Sequence, residues 1–228
     1  MGILDLLFPK YCINCKTFGE YICANCFSLI SLETMPICGM CGNATINALT
    51  HPVCKTALGI DGIFCGVLYK GTIKKLVYKC KYNPYVFDLT KMMASLFIES
   101  LIQQESFTHI LQKLRPVLVP IPLHAKKEKK RGYNQSALLA NYLSKNFQLP
   151  TSSILLRTKE TKPQFGLNKE QRQENMLNAF AVKQKPLFKE VFVVDDILTT
   201  GATLKEAAKV LKRNGVEKVW GVCFSQDL

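Results

Sequence analysis

Seven of the ten cysteines fall between residues 12 and 54, and they come in a fixed rhythm. Cys12 and Cys15, Cys23 and Cys26, and Cys38 and Cys41 are each two residues apart, and His51 stands in the same relation to Cys54. A C-x2-C turn aims both thiolates at one ion, and zinc takes four such ligands tetrahedrally in a closed structural site. A stretch of about 50 residues has too little core to fold without a staple of this kind. Eight ligands make two sites. Sequential pairing gives Cys12, Cys15, Cys23 and Cys26 at the first, and Cys38, Cys41, His51 and Cys54 at the second; the sequence also permits a crossed arrangement. Gly39 and Gly42 suit the turn around the third pair if positive φ is needed there. No βαβ pattern surrounds the pairs, which argues against redox use.

The cysteine-rich composition ends near 56–62, so a zinc-binding unit is expected over 1–58 and a second unit over 59–228. In the second unit the residues alternate between two periodicities. GIFCGVLYKG, PVLVP, VFVVDD and VEKVWGVCF read as strands. Residues 86–102, 135–147 and 202–214 carry apolar side chains at helical spacing, the last stopped by Gly215. Strands alternating with helices predict an α/β fold with a parallel sheet and helices on both faces. The polar segment 157–175 has no clean period and reads as a long loop, the natural lid over a site.

The net charge of +13, from 30 Lys and Arg against 17 Asp and Glu, favours polyanionic partners. No apolar run approaches the roughly 20 residues of a membrane span. The opening MGILDLLFPKYC lacks a basic n-region, and position six is Leu6 where a myristoylation signal has Ser or Thr, so a cytoplasmic location is expected.

The segment VFVVDDILTTGATLKEAAKVL holds the densest chemistry. A buried strand delivers Asp195 and Asp196 to its carboxyl end, and Thr199, Thr200, Gly201, Ala202 and Thr203 then turn into a helix. Backbone N–H groups at a helix start hold phosphate, Gly201 lets the oxygens come close, and twin carboxylates suit vicinal ribose hydroxyls. This order closely resembles the phosphoribosyl pyrophosphate (PRPP) signature of type I phosphoribosyltransferases.

Further motifs narrow the resemblance to the ComF family of competence-associated proteins. Val119, Pro120, Pro122, Arg131, Gly132, Tyr133, Asn134 and Gln135 match its V-P-h-P…R-G-[FY]-N-Q stretch. Arg157, Lys159, Thr161, Gln164, Leu167, Arg172, Asn175, Ala179 and Phe180 match its polar loop. Lys81 and Tyr82 match its L-K-[YF] element, with Cys80 in place of leucine, and His51 replaces a cysteine of its head.

The resemblance implies a type I phosphoribosyltransferase-like fold behind a double zinc-ribbon-like head. It implies PRPP or another ribose 5-phosphate at 195–203, with Mg²⁺ as a companion of PRPP. Asp195, Asp196 and Arg131 would be the catalytic groups. Lys81, Lys126, Lys127, Arg131, Arg157, Lys159 and Arg172 would contact pyrophosphate or a DNA backbone. It also implies a part in natural transformation, beside a helicase-like motor. Three readings stay open: a handler of incoming single-stranded DNA, an active phosphoribosyltransferase on an unknown acceptor, and a zinc-stabilised adaptor docking on the motor. Tyr82, Tyr133 and Phe165 lie among the basic residues as aromatics on which bases could stack.

Overall fold

The computed structural model describes residues 9–82, 87–160 and 168–227. A short helix α1 (Ala24–Phe27) and a 3-10 turn (Pro52–Cys54) precede the elements β1 (Gly62–Leu68), α2 (Gly71–Tyr82), α3 (Phe87–Ile102), α4 (Glu105–Leu114), β2 (Val117–Pro120), α5 (Ala125–Arg131) and α6 (Gln135–Phe147). Then follow β3 (Leu155–Arg157), α7 (Lys169–Met176), β4 (Phe180–Val182), β5 (Glu190–Leu198), α8 (Ala202–Arg213) and β6 (Lys218–Gln226).

Four strands form a parallel sheet in the order β1-β6-β5-β2, and β3 and β4 pair as a separate antiparallel hairpin. The period of two along each strand builds two cores. Phe64, Phe192, Val194, Trp220, Val222 and Phe224 face α2, α3, α4 and α6, whereas Val191, Val193, Val219 and Cys223 face α8 and the hairpin. On the first face Phe107 of α4 stacks on Phe192 at 5.2 Å and meets Phe64 edge-on at 5.5 Å. The VFVVDD run is therefore an interior strand, buried on both faces over Val191–Val194.

Two helices that the sequence reading did not separate are α2 and α4. In α2 the core positions Thr72, Ile73, Leu76, Val77 and Cys80 have helical spacing, but Ile, Val and Thr beside four lysines blur the signal. The polar segment 157–175 also holds structure. Arg157 ends β3, and α7 covers Lys169–Met176, so only part of the expected loop is loop; Thr161, Gln164, Phe165 and Leu167 lie outside the described residues.

The cysteine-rich head is not a detached appendage. Cys12, Ile13, Ile22, Cys26 and Ala48 belong to the same buried cluster as Phe64 and Phe224. Backbone bonds stitch the junction: Ile63 N–H donates to the Ala48 carbonyl at 2.8 Å and Thr50 N–H to the Asp61 carbonyl at 2.9 Å. No helix among the described residues is long and apolar enough to cross a membrane.

Candidate ribose-phosphate and zinc sites

β5 carries Asp195 and Asp196 to the carboxyl edge of the sheet, where α8 begins. Gly201 is the residue before that helix, with φ of +72°, a left-handed conformation that costs a residue with a Cβ about 1–2 kcal/mol. This kink turns the chain from the strand into the helix and leaves the first N–H groups of α8 at the loop, the arrangement that binds phosphate. Ala202 N–H reaches the Thr200 hydroxyl at 3.4 Å.

The two acids take different partners. Asp195 Oδ1 accepts from the Ser136 hydroxyl at 3.0 Å and from the Asp196 N–H at 2.9 Å. Asp196 Oδ2 lies 2.7 Å from Lys81 Nζ, with side-chain exposures of only 14% and 21%. Burial, and then the neighbouring charge of Asp196, push the Asp195 carboxyl up to about 7. Burial alone would lower the Lys81 ammonium; the Asp196 carboxylate outweighs it and raises it.

A basic wall faces these carboxylates. Arg131 is close enough to disfavour the charge of Lys81, and its guanidinium lies over the Tyr82 ring at 5.9 Å. Desolvation lowers Lys127, helped by the charges of Arg131, Arg157 and Lys81. Arg157 is held over the Phe180 ring and within range of the Asp195 charge. Tyr133 Oη and His124 Nδ1 are buried without a hydrogen-bond partner among the described residues. Buried polar atoms are rarely left unpaired unless something else completes them.

The expected cations do not all converge. Lys81 pairs with Asp196, Lys127 lies within range of the Asp196 charge and Arg157 of the Asp195 charge, and Arg131 stands near Lys81 and Lys127, but Lys126 pairs with Glu160 at 2.7 Å and is exposed. Lys159 donates to the Glu174 carbonyl at 3.4 Å, tying β3's end to α7 rather than reaching the acids. No hydrogen bond or ion pair among the described residues joins Arg172 to Asp195 or Asp196. A divalent ion on Asp196 would have to displace the Lys81 ammonium, so the pair does not fit a bare Mg²⁺.

In the head, the ligand atoms of Cys12, Cys15, Cys23 and Cys26 lie within 4.8 Å of one another, as do those of Cys38, Cys41, His51 and Cys54. Tetrahedral zinc with bonds near 2.3 Å separates its sulfurs by roughly 3.8 Å, so both sets fit the ion and the pairing is sequential. His51 is presented through Nδ1, 3.5 Å from Cys41 Sγ, with Nε2 at 3.0 Å from the Ala44 carbonyl oxygen. Such an outer contact orients a ligating imidazole. Burial opposes a charged Cys12, yet the N–H groups of Cys15, Cys23 and Asn14 lower its thiol to about 6. Cys38 is likewise lowered to about 6, with burial opposing and the N–H groups of Cys41, His51 and Met40 prevailing. In the same sets Cys54, through burial and its neighbours Cys41 and Cys38, and Cys26 are pushed the other way, to about 11, so thiolates crowd one another unless a cation sits among them. Thiolates are the form zinc binds.

One expectation at the third pair is corrected. Gly42 has φ of +82°, but Gly39 is not left-handed; a Cβ there would lie 2.5 Å from Ile60 Cγ2. Gly39 is required for close packing. The same knuckle lies beside the threonine loop, with the Gly39 carbonyl oxygen 3.8 Å from where a Cβ at Gly201 would stand. A cleft of about 240 Å³ is lined by Cys38, Gly39, Cys41, Thr199, Thr200 and Gly201, among others, and Lys205 of α8 donates to the Met40 carbonyl at 2.9 Å. This cleft lies on the knuckle side of the loop and does not include the acids.

A phosphoribosyl transferase domain model matches residues 133–226, and a double zinc ribbon domain model matches residues 3–66. Competence protein F of Haemophilus influenzae is 31% identical over 230 residues, covering 94% of this chain and 97% of that protein. The chain belongs to the ComF (competence protein F) family. Other relatives include competence protein ComFC of Bacillus subtilis, 29% identical over 86% of this chain and 80% of that protein. The DNA utilization protein YhgH of Escherichia coli K12 is 26% identical over 89% of this chain and 96% of its own.

The family's R-G-Y-N-Q stretch has a structural basis here. Gly132 closes α5 and Asn134 caps α6, accepting from the N–H groups of Ser136 and Ala137 while its Nδ2 donates to the Ile121 carbonyl. Between them Tyr133 is aimed inward. Ser136, Lys205 and His124 were not among the residues singled out from the sequence. Ser136 sits one residue past the motif, and no local pattern shows that α6 brings it to Asp195.

Proposed function

We propose that this protein handles incoming single-stranded DNA in the cytoplasm of the recipient cell during natural transformation. In this reading its α/β unit takes PRPP or another ribose 5-phosphate. The observation that carries the ligand assignment is the pair Asp195 and Asp196 beside the left-handed Gly201 turn, faced by Lys81, Lys127, Arg131 and Arg157. The N–H groups and hydroxyls of 199–203 would take the 5-phosphate, the acids the ribose hydroxyls, and the cations a pyrophosphate or a strand's phosphates. Support for the DNA role comes from relatives called competence and DNA utilization proteins and from the net charge of +13.

Because Lys81 occupies Asp196, any Mg²⁺ accompanying PRPP would have to come with the ligand rather than be held by these carboxylates, and it would supply charge neutralisation. Residues 1–58 would serve as the zinc-held unit and 59–228 as the ligand-binding unit. A helicase-like competence motor would be the docking partner. Transferase activity is the second reading, favoured by the orphaned, buried Tyr133 hydroxyl, which lies within electrostatic range of Asp196.

The test is a titration of the zinc-loaded protein with PRPP, with a labelled oligonucleotide, and with both. Saturable PRPP binding that disappears in Asp195→Asn plus Asp196→Asn, together with salt-dependent strand binding, is expected. PRPP binding that survives the double substitution would show the ligand site is elsewhere. Release of pyrophosphate would move the assignment to the second reading.

A further inference from the structure

The outer face of α2 is chemically unusual. Its inner face, Ile73, Leu76, Val77 and Cys80, packs into the core, which leaves Lys74, Lys75, Tyr78, Lys79 and Tyr82 on the outside. The helix contains no acidic residue. Tyr78 and Tyr82 are 62% and 61% exposed, and their rings lie 4.7 Å apart. A tyrosine pair at i and i+4 steadies a helix by only about 0.2–0.5 kcal/mol, too little to account for two large rings left in water. Arg131, the last residue of the basic helix α5, has its guanidinium 5.9 Å from the centre of the Tyr82 ring.

We propose that this face is where single-stranded DNA lies, its bases stacking on Tyr78 and Tyr82 while Lys74, Lys79 and Arg131 hold the phosphates; Lys75, on the same face, is instead tied to Asn14 Oδ1 of the head at 2.8 Å. The inference rests on the DNA-handling reading above and names the surface that performs it. Aromatic faces interleaved with cations suit a flexible strand, whose bases can splay onto the rings; a duplex keeps its bases stacked inside. Protein-docking surfaces are depleted in lysine, whereas these tyrosines stand among the lysines of α2. The face also adjoins the ribose-phosphate site through the same turn of helix. Lys81 points inward to Asp196 while Tyr82, the next residue, points outward to Arg131. A strand on this ledge thus runs past the mouth of the pocket.

The experiment measures binding of a fluorescent oligothymidylate by anisotropy, using the full zinc-loaded chain. Tyr78→Ala plus Tyr82→Ala is expected to weaken binding at least tenfold, since stacking changes affinity roughly fivefold to a hundredfold per base. Tyr78→Phe plus Tyr82→Phe should restore it, because the stacking face survives without the hydroxyl. A 5-iodouracil oligonucleotide should crosslink by light to Tyr78 or Tyr82, mapped by mass spectrometry in the unaltered protein. Strand binding by the unaltered chain that is unchanged in the Ala pair, or crosslinks confined to other elements, would overturn this surface while leaving the DNA reading standing. No strand binding by the unaltered chain would overturn both. Duplex bound as tightly as single strand would remove the stacking argument.

Discussion

Lys81→Met is the most informative single perturbation of the ribose-phosphate site. It removes the ammonium 2.7 Å from Asp196 and leaves two adjacent carboxylates without their nearest counterion. Exposed ion pairs are worth about 0.2–1 kcal/mol, whereas breaking a buried one costs about 3–5 kcal/mol. With side-chain exposures of 21% and 14% the pair sits nearer the buried limit, which places the loss at roughly 2–3 kcal/mol at pH 8. For a chain of this length that is a fall in Tm of about 4–12 °C. Asp195 ionises only as pH rises through about 7, so the second carboxylate charge that Lys81 offsets is present at pH 8 and largely absent at pH 5, and the fall should be smaller at pH 5. Asp196→Asn removes the charge that Lys81 answers, so the double variant should recover part of the loss, giving a coupling of about 2 kcal/mol in a double-mutant cycle. Urea denaturation of the four proteins at pH 5 and pH 8, each saturated with zinc, measures every quantity. A coupling below about 0.5 kcal/mol, or losses equal at the two pH values, would refute the assignment of this pair as a buried, mutually compensating one.

Other perturbations probe the remaining parts. Asp195 has a carboxyl raised to about 7 from an ordinary value near 4 in the unfolded chain. The folded form therefore holds the extra proton between those values, and the cost of ionisation is absent below about pH 4 and complete above about pH 7. Asp195→Asn should accordingly raise Tm more at pH 8 than at pH 5, and an equal shift at both would contradict the raised carboxyl. Metal analysis should return about two zinc ions per chain, and Cys38→Ser should release one and also weaken ribose 5-phosphate binding, since the knuckle it anchors abuts the threonine loop. Retained zinc, or unaltered ligand affinity after its loss, would separate the knuckle from the site. Gly201→Ala has room, with no atom closer than 3.6 Å to the new Cβ, but must hold φ near +72°. It should cost about 1 kcal/mol and weaken ribose 5-phosphate at least tenfold, and Gly201→Asn, which tolerates that φ, should recover part of both.

Much of the framework was legible because it is written in short-range patterns. The x2 spacing identified the two sets of four side chains that the fold brings together in a form fit for zinc, and the continuous, mostly β-branched run VFVV identified β5 as an interior strand. The helix start at Ala202 followed from the Thr-Thr-Gly turn. α2 was harder to read because Ile, Val, Thr and lysine fill a helix whose stability comes from packing. α7 was missed for the opposite reason, having almost no apolar stripe of its own beyond Met176. The list of cations was longer than the site. A basic side chain near a motif in sequence finds whichever acid or carbonyl its element faces, so Lys126 is spent on Glu160 and Lys159 on the Glu174 carbonyl.

The sequence alone determined which chemical groups exist and how neighbours along the chain share them: thiolates two apart that must close on one ion, adjacent carboxylates at a strand's end, and a glycine where the chain must turn left-handed. These depend on geometry within a few residues, which covalent structure and local dihedrals limit to a small menu. Only the tertiary structure decided that Lys81 neutralises Asp196, that Ser136 holds Asp195, that the second zinc knuckle backs the phosphate loop, and that two tyrosines of α2 stay in water. Each of these joins residues from separate elements, and the sheet order β1-β6-β5-β2 with its helical layers brings those elements together. Burial then sets how strongly their charges act, a quantity that belongs to the packed molecule and to no stretch of its chain.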